Sequence, residues 1–258
     1  MKTIEVAADG PVTIVTICRR ARSNAVDGAT AAALLEAFTA FDADPGSSVA
    51  VLTGAEGTFC AGADLTALSE GDRRPVLEDG PGPMGPTRME LSKPVIAAIE
   101  GHAVAGGLEL ALWCDLRVAA ADAVLGVYCR RFGVPLVDGG TVRLPRIVGQ
   151  GHALDLVLTG RGVGGPEAVQ MGLVNRLVPP GAALSEALVL AHQLAALPQT
   201  CLRNDRRSLL WQWGRDEEDA LAAEARLGQR TIASGETADG ALRFASGAGR
   251  HGGTVSPG

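Results

Sequence analysis

The chain has 258 residues, 47% of them apolar and 20% charged, with 23 Lys and Arg against 29 Asp and Glu and a formal net charge of −6. That length buries a full core as one large domain, or as a main domain with a smaller attachment, and that charge argues against a nucleic-acid surface, which needs a clustered excess of cations. Cys18, Cys60, Cys114, Cys129 and Cys201 are odd in number and lack any C-x-x-C pair, and no apolar run approaches the roughly 20 residues of a bilayer span, so the expectation is a soluble cytoplasmic protein without disulfides, metal site or membrane contact.

Along the chain, TIEVAA and PVTIVTI flank Asp9-Gly10 and read as a hairpin, since β-branched residues alternate on either side of a dipeptide that tolerates positive φ. Asp27 is a candidate N-cap for the helix TAAALLEAFTAF, which Asp44-Pro45-Gly46 ends. SVAVLTG, VIAAIEG and DLRVAAA are short buried strands interleaved with Gly-rich or helical sequence, which implies an α/β layering. Residues 70–88 are rich in proline and glycine and read as a lid or mobile loop. Gly80, Gly82 and Gly85 satisfy G-x-G-x-x-G, but prolines interleave them and remove amide donors, so a dinucleotide site is not expected. Beyond Gly140 come the helical segments TVRLPRIVG and HALDLVLTG, the short strand NRLVP and, from Ala182, successive helices ending in a frayed tail, residues 249–258.

The stretch GHAVAGGLELALWCD, residues 101–115, carries one carboxylate in an apolar run. A helix starting at Gly106-Gly107 leaves its first amides without intrahelical partners. Helical side chains lean toward the N-terminus, so Glu109 hangs near those amides. Backbone donors for a developing oxyanion beside a carboxylate able to move a proton describe enolate chemistry. The plain alternative is that Gly106-Gly107 simply permits tight helix packing, with Glu109 exposed or bonded to an arginine. A second loop, TFCAGADL, follows a strand and exposes small residues, so one of its amides can supply the other donor.

These segments together, with ARSNAVDG, KPVIAAIEGHAVAGGLELALWCDLRVAA, LPRIVG and AVQMGLVNRLVP, resemble the crotonase superfamily, the enoyl-CoA hydratase/isomerase family, over nearly the whole chain. The resemblance implies an α/β fold, a right-handed spiral of β-β-α turns over residues 1–195, followed by a helical C-terminal trimerisation region over 196–258. It implies homotrimers or hexamers, an acyl-CoA thioester substrate and no further cofactor. It places the oxyanion-hole amides on Ala63 and Gly106, and coenzyme A contacts around Arg22, Ala25, Ala61, Asp64 and Leu65.

The sequence departs from the family's pattern at one point. Hydratases of this type use two glutamates, and the second falls here on Cys129. Asp138 offers a replacement carboxylate, or else caps the helix after it; Glu109 acting alone suffices for a 1,3-proton shift; Cys129 as nucleophile lacks a His partner. The leading expectation is hydration of a 2-enoyl-CoA by Glu109 with Asp138. The alternatives are a double-bond isomerase, a thioester hydrolase or dehalogenase using Asp138, or a non-catalytic acyl-CoA binder. Arg130-Arg131 read as polar-face residues or as a clamp for a charged acyl group, Tyr128 as pocket lining, and His102 as a structural turn residue.

Overall fold

The computed structural model describes residues 2–72 and 74–248, so the expected C-terminal tail lies outside the described residues. The chain runs β1 (Ile4–Asp9), β2 (Val12–Ile17), α1 (Gly28–Ala43), β3 (Val49–Gly54), α2 (Leu65–Ser69), β4 (Val95–Ile99), β5 (His102–Val104) and α3 (Gly106–Trp113). It continues through β6 (Leu116–Ala120), β7 (Val124–Gly126), α4 (Gly140–Thr159), β8 (Gly162–Gly164), α5 (Gly165–Gln170) and β9 (Arg176–Val178). The helices α6 (Ala183–Ala195), α7 (Gln199–Trp211), α8 (Glu217–Ala233) and α9 (Glu236–Ala245) follow.

The larger sheet has the order β1-β2-β3-β4-β6-β9, antiparallel at β1/β2 and parallel elsewhere. A smaller sheet, β5-β7-β8, lies alongside. The chain crosses from the large sheet to the small one after β4 and again after β6, and Cys60 bridges to Ala103, so the loop after β3 joins the same edge. Successive strand, short strand and helix therefore stack as turns of a spiral.

Parallel strands covered on both faces read as continuous apolar runs, which is what VAVLTG and VIAAI are. Period-two alternation divides them. Val49, Val51, Ile96 and Ala98 pack with Leu190 and Ala191 of α6, while Ala50, Leu52, Ala97 and Ile99 face the main core with Phe38 and Leu110. Truncating Leu52, fully buried, to Ala would cost about 2–5 kcal/mol. Asp27 caps α1 as the sequence suggests, accepting from the Thr30 amide at 2.8 Å.

The two helical segments after Gly140 form α4 with a break at Gly149, whose φ of 79° is not helical. The lid expectation divides. Residues 75–81 are exposed, whereas 82 and 84–87 are buried against the rest of the chain. A 3-10 turn, Pro86–Arg88, follows the glycines, not the long helix a dinucleotide would need.

Candidate active site

The small sheet sets where α3 begins. Ala105 donates its amide to the Gly126 carbonyl at 2.9 Å and sits at φ 56°, ψ −126°. A non-glycine residue there carries strain of about 1–3 kcal/mol, the kind that gathers at functional sites. It turns the chain abruptly from β5 into α3 and leaves Gly106 as the first helical residue. The loop after β3 meets this corner. Cys60 donates to the His102 carbonyl at 2.9 Å and accepts from the Val104 amide at 3.1 Å.

Gly62, at φ 98°, passes so close that a Cβ there would stand 2.8 Å from the Gly106 nitrogen. Ala63 comes next. Among the described residues, the amides of Ala63 and Gly106 donate to no protein acceptor, although the segments carrying them adjoin. Gly107 serves packing: a Cβ on it would lie 2.1 Å from the Cys60 carbonyl oxygen, so only glycine lets α3 rest on the Ala63 loop.

Glu109 is buried, 3% exposed, among Leu108, Leu110 and Ala111. Its Oε1 accepts the amides of Asp138 and Gly140, both at 2.9 Å. Burial pushes its carboxyl from 4.5 up to about 7; the Asp138 charge adds to the rise, while the two amides and Arg143 oppose it. Asp138 is equally buried. Its Oδ1 accepts the Met84 amide at 2.9 Å and the Thr87 hydroxyl at 2.5 Å. The second oxygens, Glu109 Oε2 and Asp138 Oδ2, accept nothing from the described residues, and neither is sealed from solvent. The two carboxylates are thus neighbours, each with one oxygen fixed and one open. Arg143 stands beside them but donates to the carbonyls of Asp138 and Thr87, at 2.9 and 2.6 Å.

The capping alternative for Asp138 is corrected here: α4 is capped by Gly139, and the Asp138 side chain turns toward Met84 and Thr87. Met84, Thr87 and Arg143 were not legible as site residues. Only the proximity of a Pro/Gly-rich segment to a buried acid would have pointed to them.

The residues expected around coenzyme A gather along two tied loops. Arg19 pairs with Asp27 at 2.7 Å and Asp64 at 3.0 Å and donates to the Ala25 carbonyl. Ala61 donates to the Ser23 carbonyl at 3.1 Å. Asp64 is 4% exposed and also caps α2 through the Thr66 and Ala67 amides, so its carboxylate is committed inside the protein. Ala25 is buried too, whereas Arg22 and Leu65 are exposed and Ala61 is half-buried. Arg22 reaches Thr66 Oγ1 at 3.3 Å.

Cys129 is buried, and its thiol is pushed up by burial first and then by the Glu109 charge, so it holds its proton at neutral pH. That disfavours a thiolate nucleophile. Arg130 and Arg131 donate to the Val157 and Gly160 carbonyls, and Arg131 stacks 3.8 Å over the Tyr128 ring, so these arginines tie a turn to the end of α4. Tyr128 packs against Gly126 and Gly162 of the small sheet. His102 lies in β5 with its side chain exposed. Among the described residues, no group of three or more His, Cys, Asp or Glu converges as a metal would require, and no helix is long and apolar enough to cross a membrane.

Comparison with known proteins bears on this geometry. The description of the enoyl-CoA hydratase/isomerase family matches residues 8–248. An enoyl-CoA hydratase of Mycobacterium tuberculosis is 34% identical over 95% of this chain and 96% of its own. A carnitinyl-CoA dehydratase of Salmonella arizonae is 40% identical over 75% of this chain and 74% of its own. The crystal structure of an enoyl-CoA hydratase from Mycobacterium marinum superposes with a TM-score of 0.89 at 36% identity, covering 95% of this chain and 96% of that one. A spiral of strand and helix turns, with a buried acid beside two unclaimed amides, is thus a crotonase fold, and the chain belongs to the enoyl-CoA hydratase/isomerase family.

Proposed function

We propose that the protein adds water across the double bond of a 2-enoyl-CoA. The observation that carries this reading is the adjoining pair of unclaimed amides, Ala63 and Gly106, one helical turn from the buried Glu109. Two donors on the thioester oxygen stabilise the negative charge that develops there when the β-carbon is attacked. Arg22, on the turn after β2, and Ala61 and Leu65, on either side of Ala63, would meet the coenzyme A moiety, with Ala25 and Asp64 buried beneath them.

Glu109, its carboxyl raised to about 7, brings the proton that the α-carbon receives. The open oxygen of Asp138 takes a proton from water as the water oxygen bonds to the β-carbon, and the electron pair of the double bond moves onto the thioester oxygen. Collapse of the enolate takes the Glu109 proton at the α-carbon. The product is the 3-hydroxyacyl-CoA, and the pair has exchanged roles. No cofactor beyond the substrate's coenzyme A enters this sequence.

Relatives named as enoyl-CoA hydratases and carnitinyl-CoA dehydratases support water addition or loss as the reaction type. Purified protein added to crotonyl-CoA removes the conjugated enoyl absorbance if this is right. Migration of the double bond without water uptake would replace it with the isomerase reading, in which Glu109 works alone. We also read exposed Leu209, Leu221, Ile232 and Leu242 on the C-terminal helices as a surface covered between copies in a trimer or hexamer. Sedimentation of the full chain tests it, and a monomer at micromolar concentration refutes it.

A further inference from the structure

Asp138 could present either carboxylate oxygen to a water, because rotation about its terminal torsion interchanges them with little resistance. The surroundings prevent this. Oδ1 accepts two donors from one short segment, the Met84 amide at 2.9 Å and the Thr87 hydroxyl at 2.5 Å. Thr87 is fully buried and its hydroxyl proton goes to Oδ1. Its carbonyl is held by Arg143 Nη2 at 2.6 Å, while Nη1 of the same guanidinium holds the Asp138 carbonyl at 2.9 Å. The residue is thus fixed on its main-chain side as well. Met84 continues the clamp toward α3: a Cβ on Gly106 would lie 2.8 Å from its Sδ. A chain of bonds therefore joins Glu109, Asp138 and Thr87, with the segment around residue 84 seated against the residue whose amide is unclaimed.

We infer that Thr87 is a positioning residue for the hydration step: its hydroxyl, together with the Met84 amide, pins Asp138 Oδ1 so that Oδ2 alone meets the attacking water. The inference rests on the role given to Asp138 above. Removing the hydroxyl leaves a single tether, and the carboxylate then samples orientations that do not face the water. Misplacing a reacting group in this way costs rate while leaving ground-state binding nearly untouched.

The test compares two activities of the full chain: hydration of crotonyl-CoA and exchange of the α-proton of butyryl-CoA in D2O. Exchange needs Glu109 and the amide pair; hydration needs Asp138 in addition. In Thr87→Val, which keeps the shape, and in Thr87→Ala, which reads the same loss should the valine variant fail to fold, the ratio of hydration to exchange falls about 30-fold, with the KM for crotonyl-CoA within about twofold. Thr87→Ser restores the ratio to within about threefold of wild type. In an Asp138→Asn background the Thr87 substitution lowers hydration no further, as expected of two residues acting as one unit. A parallel fall of hydration and exchange, or a serine variant no better than valine, overturns the inference by reducing Thr87 to packing. Wild type that hydrates while the Thr87 variants match it sinks this inference alone; wild type that exchanges without hydrating sinks the hydratase reading and this with it.

Discussion

Two corners of the molecule each set a pair of carboxylates beside an arginine, one pair fully buried and the other with Asp27 part-exposed, and they end in opposite states. At the Arg19 corner the guanidinium reaches Asp27 and Asp64 directly. Burial alone would raise both acids; the Thr30 contacts with Asp27, the Ala67 amide on Asp64 and Arg19 on each outweigh it and hold them below the usual range. At the Glu109 corner the nearby Arg143 is turned onto carbonyl oxygens, the two acids receive backbone amides and a hydroxyl, and burial wins at Glu109. Two carboxylates and a guanidinium make a clasp in one place and a proton store in the other. In the first the guanidinium bonds the acids directly; in the second it is spent on carbonyl oxygens and Glu109 is the more deeply buried.

The sharpest way to break this contrast is Glu109→Gln, which keeps an acceptor for the Asp138 and Gly140 amides but removes the proton. Hydration of crotonyl-CoA should fall about 1000-fold in steady-state assay; a variant within tenfold of wild type would deny Glu109 its role. The clasp answers to a different probe. Arg19→Met strands the buried Asp64 and the part-exposed Asp27 and should lower unfolding free energy by about 2–3 kcal/mol in urea titration, whereas the same change at a surface pair costs under about 1 kcal/mol. Asp138→Asn should lower hydration about 100-fold while sparing more of the α-proton exchange than Glu109→Gln does.

A fourth experiment uses pH. An acid whose folded pKa lies above its unfolded value adds stability below about 4.5 that is lost as pH rises through about 7. Glu109→Gln does not titrate, so its stability relative to wild type should improve across that window by about 3 kcal/mol, read from paired denaturation curves at pH 4.5 and 8. A constant difference would mean that Glu109 does not carry the proton. The smallest effect is expected at Cys129→Ala. With the thiol protonated and unpartnered by a histidine, turnover should stay within about twofold, and a large loss would reopen thiol chemistry.

How much of this was legible in the sequence depends on range. The hairpin β1–β2, the runs VAVLTG and VIAAI and the cap at Asp27 are local patterns, and they appear where their chemistry puts them. The start of α3 at Gly106 was legible for the same reason. The strands HAV, VLG and GVG were not, because runs of this length carry no period and gain their bonds from partners distant in sequence. Residues 82–87 illustrate the other limit. Proline and glycine content marks irregular backbone, and nothing in composition says that such a segment is buried with its amide on Asp138. Asp138 looked equally suited to capping because a carboxylate ahead of a helix satisfies that pattern; the choice was made by Thr87, far off along the chain.

The pairing of Cys60 with His102 and Val104 has a consequence beyond architecture. It means the gap between the two unclaimed amides is set chiefly by main-chain bonds across the Cys60–Ala103 bridge. Such a grip on an oxygen does not titrate and needs only an amide N–H at position 63, which any residue but proline supplies, so the acids could be exchanged for other chemistry while the anchor for the thioester stayed as it is.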